Sequence, residues 1–143
     1  MHRLKLILLF FGFVSLVSCG IEPGTIDYGK DACSFCQMNI VDNQHAAQVV
    51  TNKGKVFKYD AIECMMRDIK KKDHNSIALY LITDYSEPGK FTDAQKATYL
   101  VSANVPSPMG ANLSGFSKKE NASTLQQEKE GTLYSWDELK NQF

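Results

Sequence analysis

Residues 45–83 read HAAQVVTNKGKVFKYDAIECMMRDIKKKDHNSIALYLIT. His45 to Thr51 is rich in β-branched and small residues and predicts a strand. Asn52, Lys53, Gly54 and Lys55 form a turn, and Val56 to Tyr59 predicts a second strand. Asp60 stands where an N-cap accepts backbone N–H groups, and Glu63, three residues on, completes a capping box. From there Ile62, Met65, Met66 and Ile69 recur at helical spacing. Lys70, Lys71 and Lys72 end the helix with cations at the negative pole of its macrodipole. Ile77 to Thr83 is a near-continuous apolar run, the mark of a central strand covered on both faces.

The same order returns downstream. After a polar loop with Pro88 and Gly89, Ala97 to Ala103 predicts a strand. A loop with Pro106, Pro108 and Gly110 leads to a short strand at Leu113 to Phe116. Ser117 with Glu120 caps a polar helix ending near Glu130, and Leu133-Tyr134 forms a last strand. Ser135 with Glu138 caps a terminal helix that carries Trp136, Leu139 and Phe143 on one side. Residue identity between the halves is low, so the repeat is one of architecture. The expectation is an α+β domain of two strand–strand–helix–strand (ββαβ) pseudo-repeats plus a short C-terminal helix. Its helices cover one face of a mostly antiparallel sheet.

Upstream, His2, Arg3 and Lys5 precede an apolar run from Leu6 to Val17, then small Ser18. This is the layout of a secretory signal over residues 1–18, too short for a spanning helix. Leu16-Val17-Ser18-Cys19 resembles a bacterial lipobox. That resemblance implies cleavage before Cys19, lipidation of its thiol, and an extracytoplasmic domain anchored to a bacterial membrane. Residues 20–31, with Gly20, Pro23, Gly24 and Gly29 and few apolar side chains, read as a tether. Residues 32–143 form one domain, long enough for a hydrophobic core. Once the basic leader is removed the remainder is slightly acidic. It carries no basic patch, which argues against a nucleic-acid partner.

The chain has four cysteines. With Cys19 assigned to lipid, Cys33, Cys36 and Cys64 remain, an odd number where a disulfide scaffold favours an even one. One pair with a leftover thiol, or a metal site that keeps its thiols in use, satisfies the count. Cys33-x-x-Cys36-x-Met38 lies in a loop just before the first strand. Thiolate and thioether are soft ligands that select copper(I) over hard cations, and zinc does not take thioether, so Met38 turns the motif toward copper. Met109, between Pro108 and Gly110, is a second thioether without an obvious core role, and packed pseudo-repeats would bring its loop near the cysteines. Cys64 falls about 160° from the apolar stripe at roughly 100° per residue. It packs on a second element as an inert thiol, sits exposed, or points at the metal loop. His45 is a further candidate ligand through neutral imidazole, whereas His74, after a lysine run, faces solvent. Met65 and Met66 belong to the core stripe.

At these residues the sequence resembles the nitrous-oxide-reductase accessory lipoproteins, the NosL family. The shared pattern is the lipobox at Cys19, the Cys33/Cys36-Gln37-Met38 segment, the doubled ββαβ order and the Met109-Gly110 loop. Thr83-Asp84-Tyr85 and Thr92-Asp93-Ala94 also resemble family segments. The resemblance implies a non-enzymatic copper(I) chaperone that delivers copper to nitrous oxide reductase, or to its assembly machinery, as the copper–sulfide centre is built. By position it implies Cys36, Met38 and Met109 as ligands, with Cys33 next. The chain departs from the family at Gln37, where Gly is usual. It departs again at residues 44–48, which lack a Gly-Pro often found before that strand. A more distant likeness of fold to organomercurial lyase draws attention to the thiols but transfers no function. Two other chemistries fit the cysteines. One is a thiol–disulfide oxidoreductase on Cys33-x-x-Cys36, although the motif does not open a helix after a strand. The other is a structural zinc module of Cys33, Cys36, Cys64 and His45.

Overall fold

A computed structural model describes residues 20–143; the expected signal segment and Cys19 lie outside the described residues. Each half folds into the same strand order. In the first, β1 (Ala47–Thr51) lies between β2 (Val56–Tyr59) and β3 (Ile77–Asp84), with α1 (Ile62–Ile69) joining β2 to β3. In the second, β5 (Thr98–Val101) lies between β6 (Leu113–Phe116) and β7 (Thr132–Tyr134), with α2 (Lys119–Lys129) joining β6 to β7. All these pairings are antiparallel. Helix α3 (Trp136–Gln142) closes the chain. The two pseudo-repeats expected from the sequence form one antiparallel sheet each.

Three local expectations are corrected. The polar stretch with Pro88 is not a loop: β4 (Glu87–Asp93) pairs with β3 and extends the first sheet at its edge. An edge position tolerates proline because one side of the strand donates no ladder bond. The N-cap of α1 is Ala61, with no side-chain cap, and the N-cap of α2 is Lys118, likewise uncapped. Asp60 faces the cysteines instead, and Glu63 accepts from Ser107 and Ala111 of the β5–β6 connection. Ser117 instead gives its hydroxyl and, at 2.9 Å, its N–H to the buried carboxylate of Asp84. A buried carboxylate needs donors more than an exposed helix end needs a cap. Only at α3 does the expected box form, with Ser135 Oγ accepting Glu138 N–H and Glu138 Oε2 accepting Ser135 N–H.

The expected tether is shorter than residues 20–31. The fully buried Gln48 amide bonds both ways to Gly24, each at 2.8 Å, and Ile26 is buried. From Gly24 onward the segment is part of the domain. Among the described residues no helix is long and apolar enough to cross a membrane.

The two sheets meet at Gly115 on β6. Its carbonyl accepts the Tyr85 N–H just past β3 at 2.9 Å. A Cβ there would overlap Ile82 Cδ1 and lie 3.2 Å from Ile62 Cδ1, so a bare backbone is what lets β6 approach β3 and α1. Around this junction Ile62, Met65, Met66, Ile69, Ile82, Tyr99, Leu113, Trp136 and Leu139 form the main core. Helix α1 is buried beyond its apolar stripe: Glu63 and Cys64 are also inaccessible, and the helix is covered on a second face.

Candidate metal centre

That second face is covered by the cysteine loop. Residues 31–40 fold back on themselves, with Ile40 N–H bonded to Asp31 O at 2.9 Å and Cys33 N–H to Met38 O at 2.8 Å. The return needs a left-handed residue, and Gln37 supplies it at φ 66°. Glycine adopts that conformation without cost, whereas a residue with a Cβ adopts it rarely. The loop is tied to β2 through Ser34: its N–H bonds to Lys58 O at 2.7 Å, and its Oγ accepts Lys58 N–H at 3.2 Å. Lys58 Nζ reaches Asp31 at 2.6 Å, and Lys71 lies over the Phe35 ring. The end of β2 and the first turn of α1 thus face the cysteines.

There, one ligating atom each from Cys33, Cys36, Asp60 and Cys64 lie within 4.8 Å of one another. A four-coordinate ion with metal–thiolate bonds of about 2.3 Å holds its ligands roughly 3.8 Å apart, so a modest contraction closes the cluster on a metal. Cys33, Cys64 and Asp60 are buried, Cys36 is half-buried, and all three thiols are free. Cys36 Sγ donates to Asp60 Oδ1 at 3.4 Å. Cys33 is stabilised as a thiolate chiefly by the neighbouring Cys64 thiol, and further by the backbone amides of Cys36, Asp60 and Phe35. Together these donors outweigh burial and lower the Cys33 pKa to about 6. Burial first, then its neighbours Cys33 and Asp60, push Cys36 up to about 11. The neighbouring Cys33, then burial, pushes Cys64 up as well. The metal-free cluster gathers three thiols and Asp60, with Cys33 the thiol most readily ionised. It is a ready-made soft anionic nest.

The sequence candidates divide. Cys33, Cys36 and Cys64 come together, and of the readings open for Cys64 the one pointing at the cysteine loop is realised. Met38 directly follows Gln37 and is 54% exposed. Met109 is half-buried and packs against the main core rather than standing free of it. His45 is not in the cluster. Its Nδ1 bonds to Asp42 Oδ2 at 2.9 Å and its Nε2 to Ser114 Oγ at 3.2 Å, so both ring nitrogens are committed, the second to linking the two halves. The fourth group beside the thiols is Asp60, which sequence reasoning assigned to a helix cap. The signal available for it was its spacing: Asp60 and Cys64 stand four apart across a helix start.

The oxidoreductase arrangement is poorly served by this geometry. An attacking thiolate must reach its substrate, and the low-pKa Cys33 is wholly inaccessible while the more open Cys36 is held protonated.

No curated protein matches the chain. Among solved structures, the fold is shared with the copper chaperone NosL from Shewanella denitrificans, at a TM-score of 0.73 and 21% identity, over 83% of this chain and 96% of that one. The family model for NosL matches residues 25–143, a span that holds the cysteine loop and both pseudo-repeats and ends on the last residue. By fold, by the span of that match and by the order of its motifs, the chain belongs to the NosL family.

Proposed function

We propose that the protein is a copper(I) chaperone of the bacterial cell envelope. It is anchored by lipid on Cys19 and delivers copper for the copper–sulfide centre of nitrous oxide reductase, directly or through its assembly machinery. One observation carries the reading: three free thiols and a carboxylate converge at one half-open corner of a NosL-family fold. The relative of known structure is itself described as a copper chaperone. Cys33, Cys36, Met38 and Met109 form the ligand set, with Cys64 as a fifth sulfur. Thiolates give affinity for a soft monovalent ion, and thioethers stay neutral and labile. The exposed Met38 suits a site whose cargo must be passed on by stepwise ligand exchange. The protein acts as a carrier and not as an enzyme. Reduced protein beginning at residue 20 is expected to bind about one copper(I) per chain in competition with a coloured chelator. A Cys36→Ala, Met38→Ala, Met109→Ala triple variant that binds as the wild type does would remove the proposed site.

A structural zinc site is the second reading, and the Asp60 carboxylate favours it, because three thiolates and a carboxylate are a complete tetrahedral zinc set. Metal analysis of protein from rich medium separates the two: stoichiometric zinc, with unfolding in chelator, would favour the structural role.

A further inference from the structure

Glu63 is fully buried in the first turn of α1, next to Cys64 in the chain, yet it is not a member of the thiol cluster. Its Oε1 accepts the Ser107 hydroxyl and, at 3.3 Å, the Ala111 N–H; its Oε2 is buried without a hydrogen-bond partner. Ser107 in turn organises the β5–β6 connection. Its Oγ accepts Asn112 N–H at 2.8 Å and its carbonyl accepts Gly110 N–H at 3.0 Å. The proton directions agree, since the hydroxyl accepts from an amide and spends its one hydrogen on the carboxylate. Residues 107–112 therefore form a closed loop with left-handed turns at Gly110 and Asn112, and Met109 rides within it. Apart from the packing of Met109 and Ala111, the bonds that fasten this loop to the cysteine helix both end on one carboxylate oxygen.

Leaving the other oxygen buried and unpaired is costly, and a smaller apolar residue would avoid that cost. What the carboxylate supplies in return is a strong acceptor for two loop donors at once. We propose that Glu63 is the positioning residue for Met109: it holds the 107–112 loop against α1 so that the thioether is presented to a metal taken up by the thiols. The inference rests on the proposed role of Met109 as a ligand.

The test combines a methyl probe with metal affinity on the same reduced protein. With methionine methyl groups isotopically labelled, Glu63→Ala is expected to shift and sharpen the Met109 resonance in the metal-free state. Glu63→Gln, whose amide oxygen accepts the same two donors, is expected to preserve it. Met109→Ala is expected to weaken copper(I) binding by about 10–100-fold, Glu63→Ala by a similar factor, and the double variant by no more than either. Ser107→Ala removes the hydroxyl bridge without touching α1; it is expected to act in the same direction and carries the test should Glu63→Ala not fold. An unmoved methyl resonance in Glu63→Ala and Ser107→Ala overturns the proposal, as do losses that add in the double variant. Copper(I) binding by Met109→Ala at the wild-type affinity contradicts the ligand role of Met109 and, with it, its presentation by Glu63. A normal loss in Met109→Ala with none in Glu63→Ala contradicts Glu63 alone.

Discussion

Replacing Gly115 with alanine tests the junction on which the two-sheet architecture depends. The added Cβ would overlap Ile82 Cδ1 and crowd Ile62 Cδ1 at 3.2 Å and Tyr99 Cε1 at 3.3 Å. All three side chains are fully buried, so none can swing into solvent. Overpacking of this kind costs about 1–3 kcal/mol, while the stiffer unfolded chain that alanine brings offsets about 0.4–1. The net expectation is a loss of about 1–2 kcal/mol, seen in urea unfolding as a lower midpoint with an unchanged slope and in heating as a Tm lower by roughly 3–8 °C. The cause can be isolated. Ile82→Val deletes the overlapped Cδ1 and alone costs about 0.5–1.5 kcal/mol. Combined with Gly115→Ala, it relieves the clash, so the double variant should be more stable than the sum of the single losses by about 1 kcal/mol. A Gly115→Ala protein that melts with the wild type, or strictly additive losses, would refute the packing described at this junction.

Other consequences follow from the site and its surroundings. The depressed Cys33 pKa of about 6 contributes stability in full above the unfolded thiol value of about 8.5, and the contribution is lost as pH falls through about 6. The raised pKa values of Cys36 and Cys64 act oppositely, contributing below about 8.5 and fading as pH rises beyond it. Urea unfolding of the reduced, metal-free protein should therefore show greatest stability at about pH 8.5, falling on both sides, and a Cys33→Ser variant should lose the acid-side slope. His45→Ala should cost about 2–3 kcal/mol in denaturant unfolding, by stranding the buried Ser114 hydroxyl and releasing Asp42, and should leave copper(I) affinity unchanged. At Gln37, the left-handed backbone makes valine cost about 1–2 kcal/mol, whereas glycine should be neutral to within about 1 kcal/mol, both read from thermal melts.

Much of the architecture was legible because it is written in periodicity. The β-branched and small residues of β1, the helical stripe of α1 and the apolar run of β3 are all largely buried, and burial is what sequence patterns report. Strand β4 was illegible because Glu87 to Lys90 bury nothing; the strand exists through ladder bonds to β3, which leave no side-chain signature. The caps at Asp60 and Ser117 failed for a related reason. A local rule assigned those residues to the nearest backbone groups, and tertiary demand redirected them: Asp60 to the Cys36 thiol and Ser117 to Asp84. At the site, Cys33 and Cys36 were found by their spacing within one loop. Cys64 was ambiguous because its angle on α1 shows only that it leaves the stripe, not what covers the far side. His45 was a lone residue without a partner in sequence, and its partners Asp42 and Ser114 come from both halves of the fold.

The central claim is that sulfur from the cysteine loop and its neighbours holds copper(I). X-ray absorption at the copper edge of the reduced, copper(I)-loaded protein tests it most directly. The account predicts a first shell dominated by sulfur, unaltered in His45→Ala and depleted of sulfur in Cys36→Ala. A shell dominated by nitrogen, or a spectrum indifferent to Cys36, would contradict it.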